Sequence, residues 1–250
     1  MKQLKNAGFT IIETMLFLGI TGLLVMGILV GTGNSINIQR YRDSVTSLQS
    51  FLQQQYSEVA NVTNNRGLDR TCGDAGIGLL SINSSNPPRG QSECVILGRL
   101  ITTSTDKSLM VKVVAGHIPA STTPALNDLQ AIGDYNIDVL PESKTYDIDW
   151  GSSLVKQNSN DAMTFSILIV RSPLSGVIRT FISNDAIPDL GDADSIRSSV
   201  RGLINSPISE IKMCVNSNGL FNGTKMAIQI LNTATSASGV ETLGDASSGC

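Results

Sequence analysis

The chain has 250 residues, room for one or two domains, and its net charge of −3 lacks the basic excess that a general nucleic-acid binder needs. One His and one Trp leave little material for elaborate catalysis or a histidine-rich metal centre. The apolar share is 41 %, but it is concentrated near the N-terminus, which points to a membrane-compatible segment ahead of a globular part.

Residues 1–8 carry Lys2 and Lys5 and end on Gly8. Phe9 to Val30 follows, 22 residues with one charge, Glu13. At about 1.5 Å per residue this run spans roughly 33 Å as a helix, enough to cross a bilayer core. A charge at mid-membrane costs roughly 2.5–3.5 kcal/mol on insertion scales, less near the end of a span, so Glu13 needs a reason. An ordinary secretory signal would require a small-x-small cleavage site beyond the run, which Gly31-Thr32-Gly33 meets only loosely. A plain membrane anchor gives Glu13 no role. The stretch Gly8-Phe9-Thr10-Ile11-Ile12-Glu13, behind a short basic leader, closely resembles the class III signal of type IV pilins and pseudopilins.

That resemblance implies a set of roles. A dedicated prepilin peptidase would cut between Gly8 and Phe9 on the cytoplasmic face and methylate the new amine of Phe9. The apolar helix would stay in the inner membrane as an anchor, then join other pilin subunits as the core of a cell-surface filament. Glu13 would pair with the N-terminal amine of a neighbouring subunit. A lone buried carboxylate is costly, an ammonium in low dielectric offsets that cost, and only one stagger of the helices brings the two together. Lys2 and Lys5 on the leader orient the span with the head outside. Many pilins carry a Pro late in the run. Here Gly19, Gly22, Gly27, Gly31 and Gly33 occupy that region instead. Each glycine costs about 0.5–1 kcal/mol of helix stability relative to Ala. They would permit local melting or close helix packing, or are simply tolerated in a bilayer.

Residues 9–33 thus form the transmembrane or filament-core half of a helix, and residues 34–65 its amphipathic half. In the latter, Ile38, Tyr41, Val45, Leu48, Leu52, Tyr56 and Val59 recur at gaps of three and four, one stripe on a helix. No Pro interrupts from Phe9 to Ala60, so one helix of roughly 50 residues, about 75 Å long, is expected to end near Asn61–Gly67. The stripe would lie on a β-sheet. The alternative is a coiled-coil stalk, for which only about three heptads exist.

Residues 66–250 read as a β-rich head. Strands are expected at Val95–Thr102, Leu109–Ile118, Tyr135–Val139, Thr145–Trp150, Thr164–Val170, Val177–Ile182, Ile211–Val215 and Met226–Leu231. Pro173-Leu174-Ser175-Gly176 marks a hairpin turn, and Asp194–Ile204 a short helix capped by Asp192 or Asp194. Cys72, Cys94, Cys214 and Cys250 form no CxxC pair and read as two disulfides in an oxidising compartment. Three connectivities are possible. Cys72–Cys94 with Cys214–Cys250 is favoured, because each pair brackets one loop-rich stretch; free buried thiols are the alternative. The small, polar tail from Leu231 would be disordered alone, and its terminal Cys250 suggests that it is stapled back. The fold expected is therefore α+β: a pilin-like lollipop, one long N-terminal helix packed on an antiparallel sheet.

No active site is legible, and no cofactor or metal is expected. His117 stands apart from any Ser or Cys motif. Asp189, Asp192 and Asp194 lack the glycine and terminal Glu of an EF-hand loop and read as helix-capping, solvated charge. Arg66, Arg70, Arg89 and Arg99 are spread over 34 residues of an acidic protein, thin material for a DNA-uptake surface. The expected function is structural: a filament subunit, minor rather than bulk, with a membrane-anchored binding module or a DNA-uptake or secretion pseudopilin as the other readings.

Overall fold

The computed structural model describes residues 10–61, 70–73, 76–79, 95–118, 124–187, 193–219, 223 and 225–250. Its longest element is α1, Ile11–Ala60, 50 residues without a break. At 1.5 Å per residue it is about 75 Å long. The five glycines do not interrupt it, and a Cβ added at any of them would meet nothing within 4 Å. Thr21 and Thr32 return their hydroxyls to the Phe17 and Ile28 carbonyls at 2.8 and 2.9 Å, which hides a polar group along the apolar half.

The strands and helices after α1 are β1 (Arg70–Gly73), β2 (Gly76–Leu79), β3 (Val95–Thr105), β4 (Ser108–His117), α2 (Asp128–Asp134), β5 (Asn136–Asp147), β6 (Ser153–Val155), β7 (Ser166–Arg171), β8 (Ile178–Ser183), α3 (Ala193–Asn205), β9 (Glu210–Asn216), β10 (Ala227–Leu231), β11 (Val240–Leu243) and α4 (Asp245–Ser248). Beyond the β1–β2 ribbon they build two antiparallel sheets, ordered β5-β4-β3-β7-β8 and β11-β10-β9-β6. The result is α+β with a lollipop-like layout: a rod whose second half is seated in a β head.

The five-stranded sheet is covered on both faces, and β7 shows why its sequence is apolar throughout. Ile167 and Ile169 join the core that includes α1, while Leu168 and Val170 join a second core with Ile196, Val200 and Leu203 of α3. Strands buried on both faces lose the polar-apolar alternation. The four-stranded sheet gives Ile211, Met213, Val215, Ile228 and Ile230 to the first core, so α1 is packed against both sheets at once. The predicted stripe is buried at Tyr41, Val45, Leu48, Leu52, Tyr56 and Val59, with Ile38 half-buried at the point where the helix leaves the head.

Two local features differ from the sequence reading. The separate strands expected at Tyr135–Val139 and Thr145–Trp150 are one strand, β5, which passes straight through Pro141. The pairing with β4 shifts register between Lys112 and Val114, opposite the Leu140–Glu142 segment. Because β5 is an edge strand with a bulge there, the missing proline N–H costs no ladder bond. Trp150 lies beyond this strand, in a short 3₁₀ turn, Asp149–Gly151. The turn between β7 and β8 falls where Pro173–Gly176 predicts it, with Gly176 at φ +76°. Gly98 sits at a register shift in β3, where a Cβ would overlap the Ile169 carbonyl of β7.

Candidate functional site

The feature that most needs a function is the first half of α1. From Ile11 to Val30 every large apolar side chain is at least half exposed, Ile12 at 78 %. The helix is long and apolar enough to cross a membrane, and none of its most apolar window is buried within the chain. Monomeric soluble proteins seldom leave more than a few hundred Å² of contiguous apolar surface uncovered, and the chain itself supplies no cover for this rod.

Glu13 lies in its first turn. Thr10, in extended conformation, is the N-cap, and its hydroxyl oxygen accepts the Glu13 N–H at 3.3 Å. Thr10-Ile11-Ile12-Glu13 therefore has the spacing of a capping box, and a carboxylate at the third helical position is favoured by the helix dipole. This local role was open to sequence reading, from a Thr three residues before a Glu at the head of an apolar run. Gly8 and Phe9, the expected cleavage site, lie outside the described residues.

The second half of α1 is fixed in the head by polar contacts as well as by its apolar stripe. The Tyr41 hydroxyl donates to the Val215 carbonyl at 2.9 Å and accepts the Met226 N–H at 2.6 Å. It thus sits between β9 and the residue that leads into β10, in place of a direct rung. The buried Ser44 donates to the Asp149 carbonyl at 3.1 Å. Phe51 stacks on Tyr146 of β5, ring centroids 4.0 Å apart, and the Tyr146 hydroxyl donates to Ser47. Gln49 donates to the Val240 carbonyl of β11 at 3.1 Å. Near the far end, Thr180 donates to the Ala234 carbonyl at 2.7 Å, so the Tyr56 hydroxyl, 3.0 Å from Thr180 Oγ1, is the donor in that pair. Burial pushes the Tyr56 phenol up to about 12. Arg99 pairs with Glu58 at 2.6 Å, which ties it to α1.

Cys214 and Cys250 form a disulfide, Cα atoms 5.8 Å apart, that closes the C-terminal segment onto β9. The tail is also organised by β11, paired to β10 from Ala227–Leu243 to Ile230–Val240. The pairing proposed for Cys72 and Cys94 lies outside the described residues, as do Asp189 and Asp192, Arg66 and Arg89. His117 is buried at the end of β4.

A cavity of about 550 Å³ opens beside Lys156, Met163, Asp185, Glu210 and Lys212. Its Glu210 accepts from Gln229 at 2.7 Å and lies 3.8 Å from Lys212. Among the described residues there is no group of three His, Cys, Asp or Glu side chains that could hold a metal ion. No protein-family model matches the chain, and no curated protein or solved structure matches it.

Proposed function

We propose that this protein is a subunit of a membrane-rooted filament of the type IV pilin or pseudopilin kind. The observation that carries the reading is the exposed apolar rod, with a single carboxylate in its first turn, continuous with a helix seated in a β head. Such a rod is compatible in turn with lipid and with a bundle of identical rods, which suits a subunit that moves from bilayer to filament. In this reading the peptidase frees Phe9, Glu13 pairs with the Phe9 amine of a neighbour, and the head faces outward from the membrane. The head is large beside its stem, which fits a minor subunit.

A specific observation favours a second reading, a membrane-anchored module that never polymerises. The Thr10 cap gives Glu13 a role within its own helix, so its presence does not by itself require a partner amine. The two readings separate on one variant and one mass. For a filament subunit, the mature chain starts at a methylated Phe9, and Glu13→Val abolishes recovery of the protein in sheared surface material while the chain stays in the membrane. For an anchored module, the chain keeps Met1, and Glu13→Val costs at most about 1 kcal/mol of helix stability.

A further inference from the structure

The 3₁₀ turn Asp149–Gly151 carries the only Trp of the chain, and three observations about it converge. Trp150 has φ 57° and ψ 24°, a left-handed conformation that bulky residues rarely adopt. The residue is nonetheless 51 % exposed, so burial in the core does not account for the strain. The turn is also firmly held: Ser44 donates to the Asp149 carbonyl at 3.1 Å, and Asn218 donates to the Gly151 carbonyl at 2.7 Å. Strain that is held in place at an exposed aromatic points to a use for that aromatic.

Its place on the molecule says which use. The Arg40 guanidinium lies 5.0 Å from the centre of the Trp150 ring. Arg40 is the first cation after Glu13's apolar run and is exposed, with no charged residue between Val30 and Arg40; Arg42 follows on the opposite flank of the helix. Ten residues of helix separate Val30 from Arg40, about 15 Å. Helical side chains lean toward the N-terminus, here the membrane side, so Arg40 reaches back toward the bilayer. The headgroup zone extends roughly 5–7 Å beyond the hydrocarbon on each side, and a helix tilt within the common range of about 20–40° closes the rest of the gap. The carboxylates beside this patch are Asp149, next to Trp150 in the turn, and Asp43, which shares the flank of Arg40 but lies about 4.5 Å further along the helix from the span, on a shorter side chain. Trp with Arg is the pair that suits a phospholipid interface: an amphipathic ring at headgroup level and a guanidinium on phosphate.

We propose that the Trp150–Arg40 face at the base of the head docks on the phosphate layer of the phospholipid surface, so that the membrane-resident subunit leans to that side. The proposal rests on the reading of α1 as a membrane span. The test uses the full chain reconstituted in phosphatidylcholine–phosphatidylglycerol vesicles, with Trp150 as the intrinsic probe. The expected result is stronger quenching by a nitroxide near the headgroup than by one deep in the acyl chains, together with protection from aqueous iodide. Arg40→Gln should lower the docked-to-undocked ratio about fivefold, and Arg42→Gln, on the opposite flank of α1, should leave it unchanged. A chain that does not float with the vesicles would refute the membrane span itself. A chain that floats while iodide quenches Trp150 freely would overturn the docking and leave the span intact. Shielding that appears only at high protein-to-lipid ratio would overturn it in favour of a contact between subunits.

Discussion

Replacing Tyr41 with Phe removes one oxygen from the joint between helix and head and tests how that joint is held. The hydroxyl serves two backbone groups, the Val215 carbonyl and the Met226 N–H. Val215 is fully buried and Met226 is half-buried. Stranding a buried backbone group costs about 1–3 kcal/mol. With the second group partly reaching water, the total is about 2–4 kcal/mol, a large share of a typical stability of about 5–15 kcal/mol. Urea denaturation of the full chain in detergent, followed by Trp150 fluorescence, should show the midpoint fall by about 1–1.5 M at an unchanged slope. Amide exchange at Met226 should speed up more than exchange in β3 or β7. The opposing outcome is specific. Val215 N–H already donates to the Met226 carbonyl at 2.9 Å, so the two strands are in register to close a direct rung. A loss below about 0.5 kcal/mol with Met226 still protected would mean that the rung zips, and that Tyr41 holds the helix by packing alone.

Three other outcomes are expected. Because the Tyr56 phenol ionises near 12 in the fold against 10.0 in the open chain, the folded state is at full strength below pH 10 and loses about 2–3 kcal/mol as pH climbs to 12. Tyr135 and Tyr146, also raised by burial, add to this alkaline limb, and Tyr56→Phe should flatten most of it in a pH series of denaturation midpoints. Opening the 36-residue Cys214–Cys250 loop with Cys250→Ser should destabilise the head by about 3–4 kcal/mol on the chain-entropy account, and expose the tail to limited proteolysis first. Gly98→Ala should cost about 2 kcal/mol and loosen the β3–β7 pairing in amide exchange, since the new methyl falls on the Ile169 carbonyl; wild-type midpoints would show that the bulge can shift to make room.

What could be read from the sequence was mostly local and periodic. The three-four spacing of Tyr41, Val45, Leu48, Leu52, Tyr56 and Val59 fixes a buried helix face whatever the face meets. The Pro173–Gly176 turn needs only its own residues. Less legible were features that depend on distant chain. Pro141 reads as a strand breaker until β5 is known to be an edge. Ser44 and Gln55 look like surface residues, yet both are buried, Ser44 satisfied by a carbonyl 105 positions away and Gln55 by the Phe51 carbonyl. β11 hides in a small, polar tail whose order comes from β10 and the disulfide. Within the candidate site, Glu13 stands out as a charge in an apolar run, and Thr10, three residues before it, carries the local signal for its place in the first turn. Tyr41 and Tyr56 read as apolar stripe, and their hydroxyl roles depend on residues 124 or more positions downstream.

The unbroken course of α1 has a mechanical consequence. Its seated half runs lengthwise through the head, with contacts at Tyr41, Ser44, Ser47, Gln49, Tyr56 and Glu58 spread over some 18 residues, about 26 Å. Tension between the head and the stem therefore acts along the helix and loads all of these contacts together, in shear. A head hung from one end would peel, and its bonds would fail one after another. Here drag on the head must slide a whole rod past two sheets before any single contact lets go.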